Sequence, residues 1–391
     1  MPHAARAAPS LGSAAVKPTI CLCMIVKNES AVIERCLDSV RDLIDTWVIS
    51  DTGSTDGTQQ LIRNALRGIP GELHEEPWKD FGYNRSLNIA HARGKADYLL
   101  LLDADLVLRR SGPLPPLTAQ SYMLRHEGDT EYRIKRLVRG DLPWRYEGVT
   151  HEYLTCDRPD EYDQRPGMQE NLDALVIEDY ADGGSRHDKF ERDARLLSAE
   201  LERDPANHRT VFYLAQTMRD MGNTAEAIRL YERRAAMGGW EEEVYYALLQ
   251  AGVLNADAGD WPAAMDALTR AWEFRPTRLE ACYELASRLR LLGRYHAAHA
   301  ITLAVLDRPA PADILFVHPW VYRWGLLFEH SITAYWVGDM DASLRACDRL
   351  LALPDLPENY RRQTETNRGY ALERGGSSIP VSRETSPAAT V

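Results

Sequence analysis

Two aspartates, Asp103 and Asp105, stand two residues apart directly after the apolar run Tyr98–Leu102. Carboxylates at that spacing around a tight turn can face one hard divalent cation, which prefers oxygen ligands. Such a cation bridges phosphate oxygens and stabilises the charge of a leaving diphosphate. Taken alone, the pair is equally an ordinary loop or helix cap. Two other segments present polar groups in the same way. MIVKNE, with Asn28 and Glu29, follows one apolar run, and SDTGSTDGT, with Asp51 and Asp56, follows the next. Gly53 and Gly57 permit tight backbone geometry in the second segment. That turn either brings carboxylate and backbone groups to a nucleobase or ribose, or is a plain turn with a helix cap.

The elements that must position these groups alternate in type. Ile20 to Val26 is apolar and β-branched, and reads as a strand. Ser30 to Arg41 carries Val32, Ile33, Cys36, Leu37 and Val40 at the spacing of one helix face, with Ser30 as its cap. Trp47 to Ser50, Leu73 to Glu75 and Tyr98 to Leu102 read as strands; Gln59 to Leu66 and Asn84 to Ala92 read as helices. Strands separated by helices imply a parallel sheet covered on both faces, with ligands bound beyond the strands' carboxyl ends. From Tyr122 to about Tyr180 shorter alternating segments, EYRIKRLV and VTHEYLTC among them, predict antiparallel hairpins. The helical period takes over at DGGSRHDKFERD. Beyond it, helix–Gly–helix units repeat, with turn glycines at 222, 259, 293 and 338, spaced 37, 34 and 45 residues apart. A period near 34 with a closing Pro is similar to the tetratricopeptide repeat (TPR), whose helix pairs bury their apolar stripes by stacking. The expected organisation is a flexible arm over 1–17, an α/β domain over 18–185, a helical-repeat domain over 186–373 and a disordered tail over 374–391.

Lys27-Asn28-Glu29, the turn from Asp51 to Thr58 and Asp103-Ala104-Asp105 occur in the order seen in inverting family-2 glycosyltransferases of the GT-A fold, which the first ~155 residues resemble. The resemblance implies that Asp51 holds the nucleotide's base or ribose, and that Asp103 and Asp105 serve the donor's metal, Mn²⁺ or Mg²⁺, and its ribose. Asn28, Glu29 and Asp56 are placed with the donor. Asn84 and Arg85 lie in WKDFGYNRSLN, similar to the helix before the acidic element in relatives. Arg85 suits charge-assisted hydrogen bonds to phosphate, although a solvated helix face is an equal reading. WRYEGVTHEYL resembles a region ending in a V-H-E-type element. It offers His151 as a metal or diphosphate ligand and Glu152 as general base. Neighbours in a strand point to opposite faces, so these two share one centre only if the segment is a loop. Asp141 and Glu147 are weaker alternatives for the base. Lys189, Arg192 and His187 either reach phosphate or form a salt-bridged helix start.

Composition narrows the function classes. At 391 residues, 45% apolar and 27% charged, the chain has the make-up of an ordinary protein of two or three domains. No run approaches the ~20 apolar residues of a membrane span, and the first residues lack a secretory signal's apolar core, which points to a cytoplasmic protein. The net charge of −12 disfavours nucleic acid as a partner. Six cysteines without metal spacing read as buried thiols. The expected activity is transfer of a sugar from a nucleotide sugar, a UDP-sugar above others, with inversion. The acceptor is a protein or peptide, which an extended repeat groove suits, with a glycan second. A TPR scaffold that has lost activity and a nucleotidyltransferase are the readings from other classes.

Overall fold

The computed structural model describes residues 17–127, 132–157, 168–180, 182–183 and 189–375. The expected arm, apart from Lys17, lies outside the described residues, as does the expected tail beyond Gly375. The chain divides into two compact units, Met1–Leu196 and Leu197–Val391.

In the first unit β1 (Ile20–Val26), α1 (Ile33–Val40), β2 (Thr46–Asp51), α2 (Thr58–Ala65), β3 (Gly71–Glu75), α3 (Phe81–Ala92) and β4 (Tyr98–Leu101) alternate. Then come β5 (Leu106–Arg110), β6 (Ser121–Glu127), β7 (Tyr132–Arg139), β8 (Trp144–Glu147), β9 (Tyr153–Cys156) and β10 (Gln169–Asp179), and α4 (Lys189–Arg203) begins. One sheet runs in the order β3-β2-β1-β4-β7-β6-β10-β5, and β8 and β9 form a separate hairpin. Strands β3, β2, β1 and β4 are parallel, whereas β7 pairs antiparallel with both β4 and β6. The fold is thus the expected α/β class with a mixed sheet. Alternation along β1 supplies both cores. Ile20, Leu22 and Met24 pack with Ile33, Cys36 and Leu37 of α1 and with Ile62 of α2. Cys21 and Cys23 face the other way, to Ile89 and Ala92 of α3 and Trp144 of β8. All six cysteines are buried and free.

Two details differ from the sequence reading. Ser30 does not cap α1, which starts at Ile33 without a side-chain cap; the Ser30 N–H instead donates to Asp56 at 2.9 Å. The boundary falls after Leu196, inside α4, rather than at 185. The start of α4 is tied to the first unit because buried Asp193 accepts from Thr150 Oγ1 at 3.2 Å.

The second unit is built of antiparallel helix pairs: α5 (His208–Asp220) with α6 (Thr224–Ala236), α7 (Glu241–Asp257) with α8 (Trp261–Phe274), α9 (Glu280–Leu291) with α10 (Tyr295–Val305), and α11 (Leu326–Val337) with α12 (Met340–Leu351). Helix α13 (Glu358–Gly375) closes the series. Each pair turns on a glycine in the left-handed region, Gly222, Gly259, Gly293 and Gly338, with φ of 77, 83, 71 and 92°. The 45-residue interval between the last two glycines accommodates a non-helical segment between α10 and a π-helical turn at Val321–Gly325. Among the aromatic residues of these helices Tyr231, Tyr245, Tyr246 and Trp324 are buried, whereas Trp240 is exposed.

Candidate active site

A cavity of about 590 Å³ lies wholly within the first unit. Lys27, Asn28 and Glu29 reach it from the end of β1, Asp103 and Asp105 from the end of β4, and Thr150, His151 and Glu152 from the β8–β9 turn. Arg85 of α3, Arg136 of β7, Asp179 of β10, and Lys189, Arg192 and Asp193 of α4 complete the wall. The V-T-H-E segment is a turn, and His151 adopts φ 51°, so the adjacent His151 and Glu152 both face the cavity.

Close packing positions α3. The Asp80 carboxylate accepts the Tyr83 N–H at 2.7 Å and starts the helix. A Cβ on Gly82 would lie 2.1 Å from the Gly148 carbonyl oxygen, so only glycine lets α3 approach the β8–β9 turn this closely. Ser86 fastens the same contact, its Oγ accepting the Tyr146 N–H at 2.9 Å. One helical turn beyond Gly82, Arg85 enters the cavity. Its Nη1 is 2.6 Å from Asp103 Oδ1 and its Nε 2.7 Å from Glu152 Oε1. Arg136 takes the other Asp103 oxygen, Oδ2, at 3.2 Å.

Burial opposes ionisation of Asp103, but the Arg85 and Arg136 guanidiniums prevail and hold its carboxyl well below the usual carboxylate range. Burial likewise opposes the Arg85 charge, and Asp103 and Glu152 more than compensate. Behind Arg136, buried His126 accepts from Arg136 Nε at 3.3 Å. Burial, then the Arg136 charge, push His126 down to about 4.

Several expected residues are placed elsewhere or otherwise employed. Asn84 is buried and does not line the cavity: its Oδ1 accepts the Lys79 N–H at 2.9 Å and its Nδ2 donates to the Pro77 carbonyl at 3.1 Å, which consumes the amide in shaping the approach to α3. Asp56 braces two loops, accepting from Ser30 N at 2.9 Å and Thr58 Oγ1 at 2.6 Å. Burial works against its charge, yet those bonds hold the Asp56 carboxyl below its ordinary range. Asn28 joins the same brace, its Oδ1 accepting from Thr55 N at 2.8 Å, although it also edges the cavity. Asp51 is buried beside this brace; its Oδ1 accepts from Gly53 N and Ser54 N at 2.8 and 2.7 Å, and its Oδ2 has no hydrogen-bond partner. An orphaned carboxylate oxygen at the end of β2 suits a ribose hydroxyl or base N–H, but Asp51 is buried and does not itself line the cavity, which its neighbour Thr52 does. Asp141 and Glu147 do not line the cavity; they pair with Arg139 and Arg145. His187 lies outside the described residues.

The donor set fits a hard divalent cation in part. Asp103 lines the cavity with each oxygen paired to a guanidinium, and each oxygen keeps a further lone pair. Asp105 and His151 retain the right chemistry at the cavity wall. Gly183 packs so closely on Asp105 that a Cβ there would lie 2.8 Å from its Oδ2. His74, Glu76 and His91 also bring potential ligand atoms within 4.8 Å of one another, away from the cavity. The two imidazoles there stack at 4.0 Å with 6° between planes, so their in-plane lone pairs run side by side instead of converging.

An α/β domain with a mixed sheet gathers acidic and basic groups beyond the ends of its parallel strands, where such domains bind ligands, and helical repeats follow it in the chain. Residues 21–119, within the first unit, match the family model Glycosyl transferase family 2. Among curated relatives, a TPR repeat-containing protein of Synechococcus elongatus is 31% identical over 264 residues, covering 63% of this chain and 64% of its own. The SPbeta prophage-derived glycosyltransferase SunS of Bacillus subtilis is 24% identical over 227 residues, 54% of this chain and 52% of its own. The chain therefore spans about half to two thirds of the length of these relatives. Solved structures similar to it include MamA (19% identity, 49% of this chain, 92% of that chain, TM-score 0.34) and YrrB, titled a TPR protein with an unusual peptide-binding site (15%, 49% and 86%, TM-score 0.35). Among the described residues no helix is long and apolar enough to cross a membrane.

The sequence pattern does not single out Arg136, Asp179 or Asp193, which line the cavity. Arg136 has a physical reason. The β6–β7 register shifts between Tyr122↔Leu137 and Met123↔Lys135, which leaves Arg136 as the extra residue of a bulge. A bulge re-aims a side chain that strict alternation would place otherwise.

Proposed function

We propose that the protein transfers a sugar, with inversion, from a nucleotide-diphosphate sugar to a protein or peptide acceptor. The observation that carries this reading is the Glu152–Arg85–Asp103 chain in a cavity at the carboxyl edge of a family-2 domain. Glu152 is the general base that takes the acceptor's proton as its nucleophile attacks the anomeric carbon. Arg85 fixes Glu152 and Asp103 relative to each other. Lys189 and Arg192, with Arg85 and Arg136, supply the local positive charge that lets a chain of net charge −12 hold a diphosphate. Asp51, through its orphaned oxygen, holds the ribose or base. Asp105 and His151 would hold Mn²⁺ or Mg²⁺, which when bound neutralises charge on the leaving diphosphate. The proposed compartment is the cytoplasm.

The test is a donor screen with UDP-, GDP- and dTDP-sugars, with and without Mn²⁺, on wild type and Asp105→Ala. Binding is read by titration calorimetry, and nucleoside diphosphate release by chromatography. Metal-dependent binding of one donor, lost in D105A, is the expected result. Folded protein that binds no donor would remove the reading and leave a repeat scaffold; pyrophosphate as product would replace it with nucleotidyl transfer.

A further inference from the structure

Two arginines grip Asp103, and both are anchored in the same way. Each sets Nη1 on one Asp103 oxygen, Arg85 at 2.6 Å and Arg136 at 3.2 Å. Each sets its Nε against a second residue. Arg85 Nε lies 2.7 Å from Glu152 Oε1, and Arg136 Nε donates to His126 Nε2 at 3.3 Å. Arg136 Nη1 also reaches the Leu101 carbonyl at 3.5 Å. Among the described residues nothing accepts from Arg136 Nη2, and the side chain lines the cavity. That end of the fork is left for a ligand.

The two anchors differ in charge: Glu152 is a carboxylate, His126 a buried imidazole. A guanidinium has donors alone, so His126 Nε2 must present its lone pair and the neutral ring's one proton sits on Nδ1. That Nδ1 is buried and has no hydrogen-bond partner among the described residues. A buried N–H left unpaired is destabilising. A leucine, as at buried Leu124 two residues earlier on the same face of β6, would fill the space without that penalty. Tyr132, the cross-strand neighbour of His126, stacks on the imidazole with centroids 4.8 Å apart and 21° between planes, which steadies the ring. A carboxylate at this position would anchor Arg136 as well but would cancel its charge. The imidazole orients the guanidinium and leaves that charge to Asp103 and the cavity.

We propose that His126 is a positioning residue: as a neutral acceptor it fixes Arg136 so that Nη1 holds Asp103 and Nη2 meets an anionic oxygen of the cavity's ligand. That this anion is the donor's diphosphate rests on the sugar-transfer reading; the anchoring of Arg136 does not. His126 touches neither substrate nor reacting atoms, and acts through Arg136 alone.

The test compares the full-length wild type with His126→Leu, His126→Gln and His126→Glu by titration calorimetry, using UDP, GDP and dTDP and, separately, inorganic pyrophosphate. Leu removes the acceptor, and affinity for the anion is expected to fall about ten-fold. Gln keeps a neutral acceptor and should stay within about three-fold of wild type. Glu keeps the anchor but cancels the charge, and should bind as poorly as Leu. Equal affinity in wild type, H126L and H126E overturns the proposal whatever their Tm values, because a space-filling residue changes stability alone. Pyrophosphate bound without any nucleoside diphosphate removes the donor reading and leaves this one; a wild type that binds neither removes both. Should the variants fail to fold, histidine-selective ¹⁵N spectra of the wild type decide. A neutral His126 ring with its proton on Nδ1 is required, and a proton on Nε2 overturns the proposal.

Discussion

The guanidinium of Arg85 lies between two carboxylates, 2.6 Å from Asp103 and 2.7 Å from Glu152. This bridge links the end of β4 to the β8–β9 turn through one side chain of α3, so the site's acid–base geometry depends on a helix that itself contributes no acid or base.

Arg85→Ala removes the bridge and leaves two carboxylates facing each other in a largely buried site. Breaking a buried pair costs about 3–5 kcal/mol. Arg136 stays on Asp103, which places the expected loss near the lower end. Chemical denaturation of the two proteins measures it. Arg85→Lys keeps the charge but not the fork that spans two partners, and should fall between wild type and Ala. A loss under about 1 kcal/mol for R85A would mean the bridge is not formed in solution.

Glu152→Gln preserves shape and removes the base. Under the proposed mechanism kcat falls about 10²–10⁴-fold, while donor affinity stays within a few-fold of wild type. A variant with full kcat and unaltered donor binding would shift the role of base to another cavity carboxylate, Asp179 or Asp193.

Gly183→Ala tests how Asp105 is held. An added Cβ would meet the Asp105 carboxylate at 2.8 Å and force it aside. Misplacing a reacting or binding group by about 1 Å costs up to ~10²-fold in rate. Weaker Mn²⁺ affinity and a lower metal-dependent rate are expected, with donor binding in the absence of metal unchanged. Equal metal affinity in the two proteins would remove Asp105 from the metal's ligands.

The elements that follow from one-dimensional periodicity were legible in the residues. Strands β1 and β4 and helices α2 and α3 fall within a few residues of the runs that predict them, and each expected repeat glycine occupies the left-handed turn between two helices. Placement of the diacid after β4 also follows from the pattern of apolar runs and breakers, whereas the turn that holds His151 and Glu152 does not, because VTHEYLTC reads equally as a hairpin strand. What sequence could not show is contact between distant residues. Asn84 and Arg85 are neighbours with the same apparent promise, yet the helix start directs Asn84 into the 77–79 loop and Arg85 into the cavity. Arg136 reaches Asp103 through a register slip with no local signal. Asp56 and Asn28 brace two loops, and Asn28 also edges the cavity, because a loop brace and a ligand cradle call for the same small polar residues.

Acid should weaken the repeat unit through His330. Its ring is buried, with Nδ1 3.1 Å from Thr302 Oγ1, and it stacks on His299 at 5.0 Å. Burial, then the neighbouring His299, push it down to about 4, and burial lowers His299 in the same direction. The unfolded chain binds a proton at His330 near pH 6.5, so between roughly pH 4 and 6.5 the unfolded state holds more protons than the folded one. Stability from this group is therefore complete above about pH 6.5 and is lost as pH falls toward 4. Scanning calorimetry from pH 7 to 4.5 should show the wild-type Tm dropping more steeply than that of His330→Gln. The variant starts lower at pH 7, since it disturbs a packed site, and the two curves converge in acid. A Tm difference that stays constant across the range would mean that His330 is not held neutral by the fold.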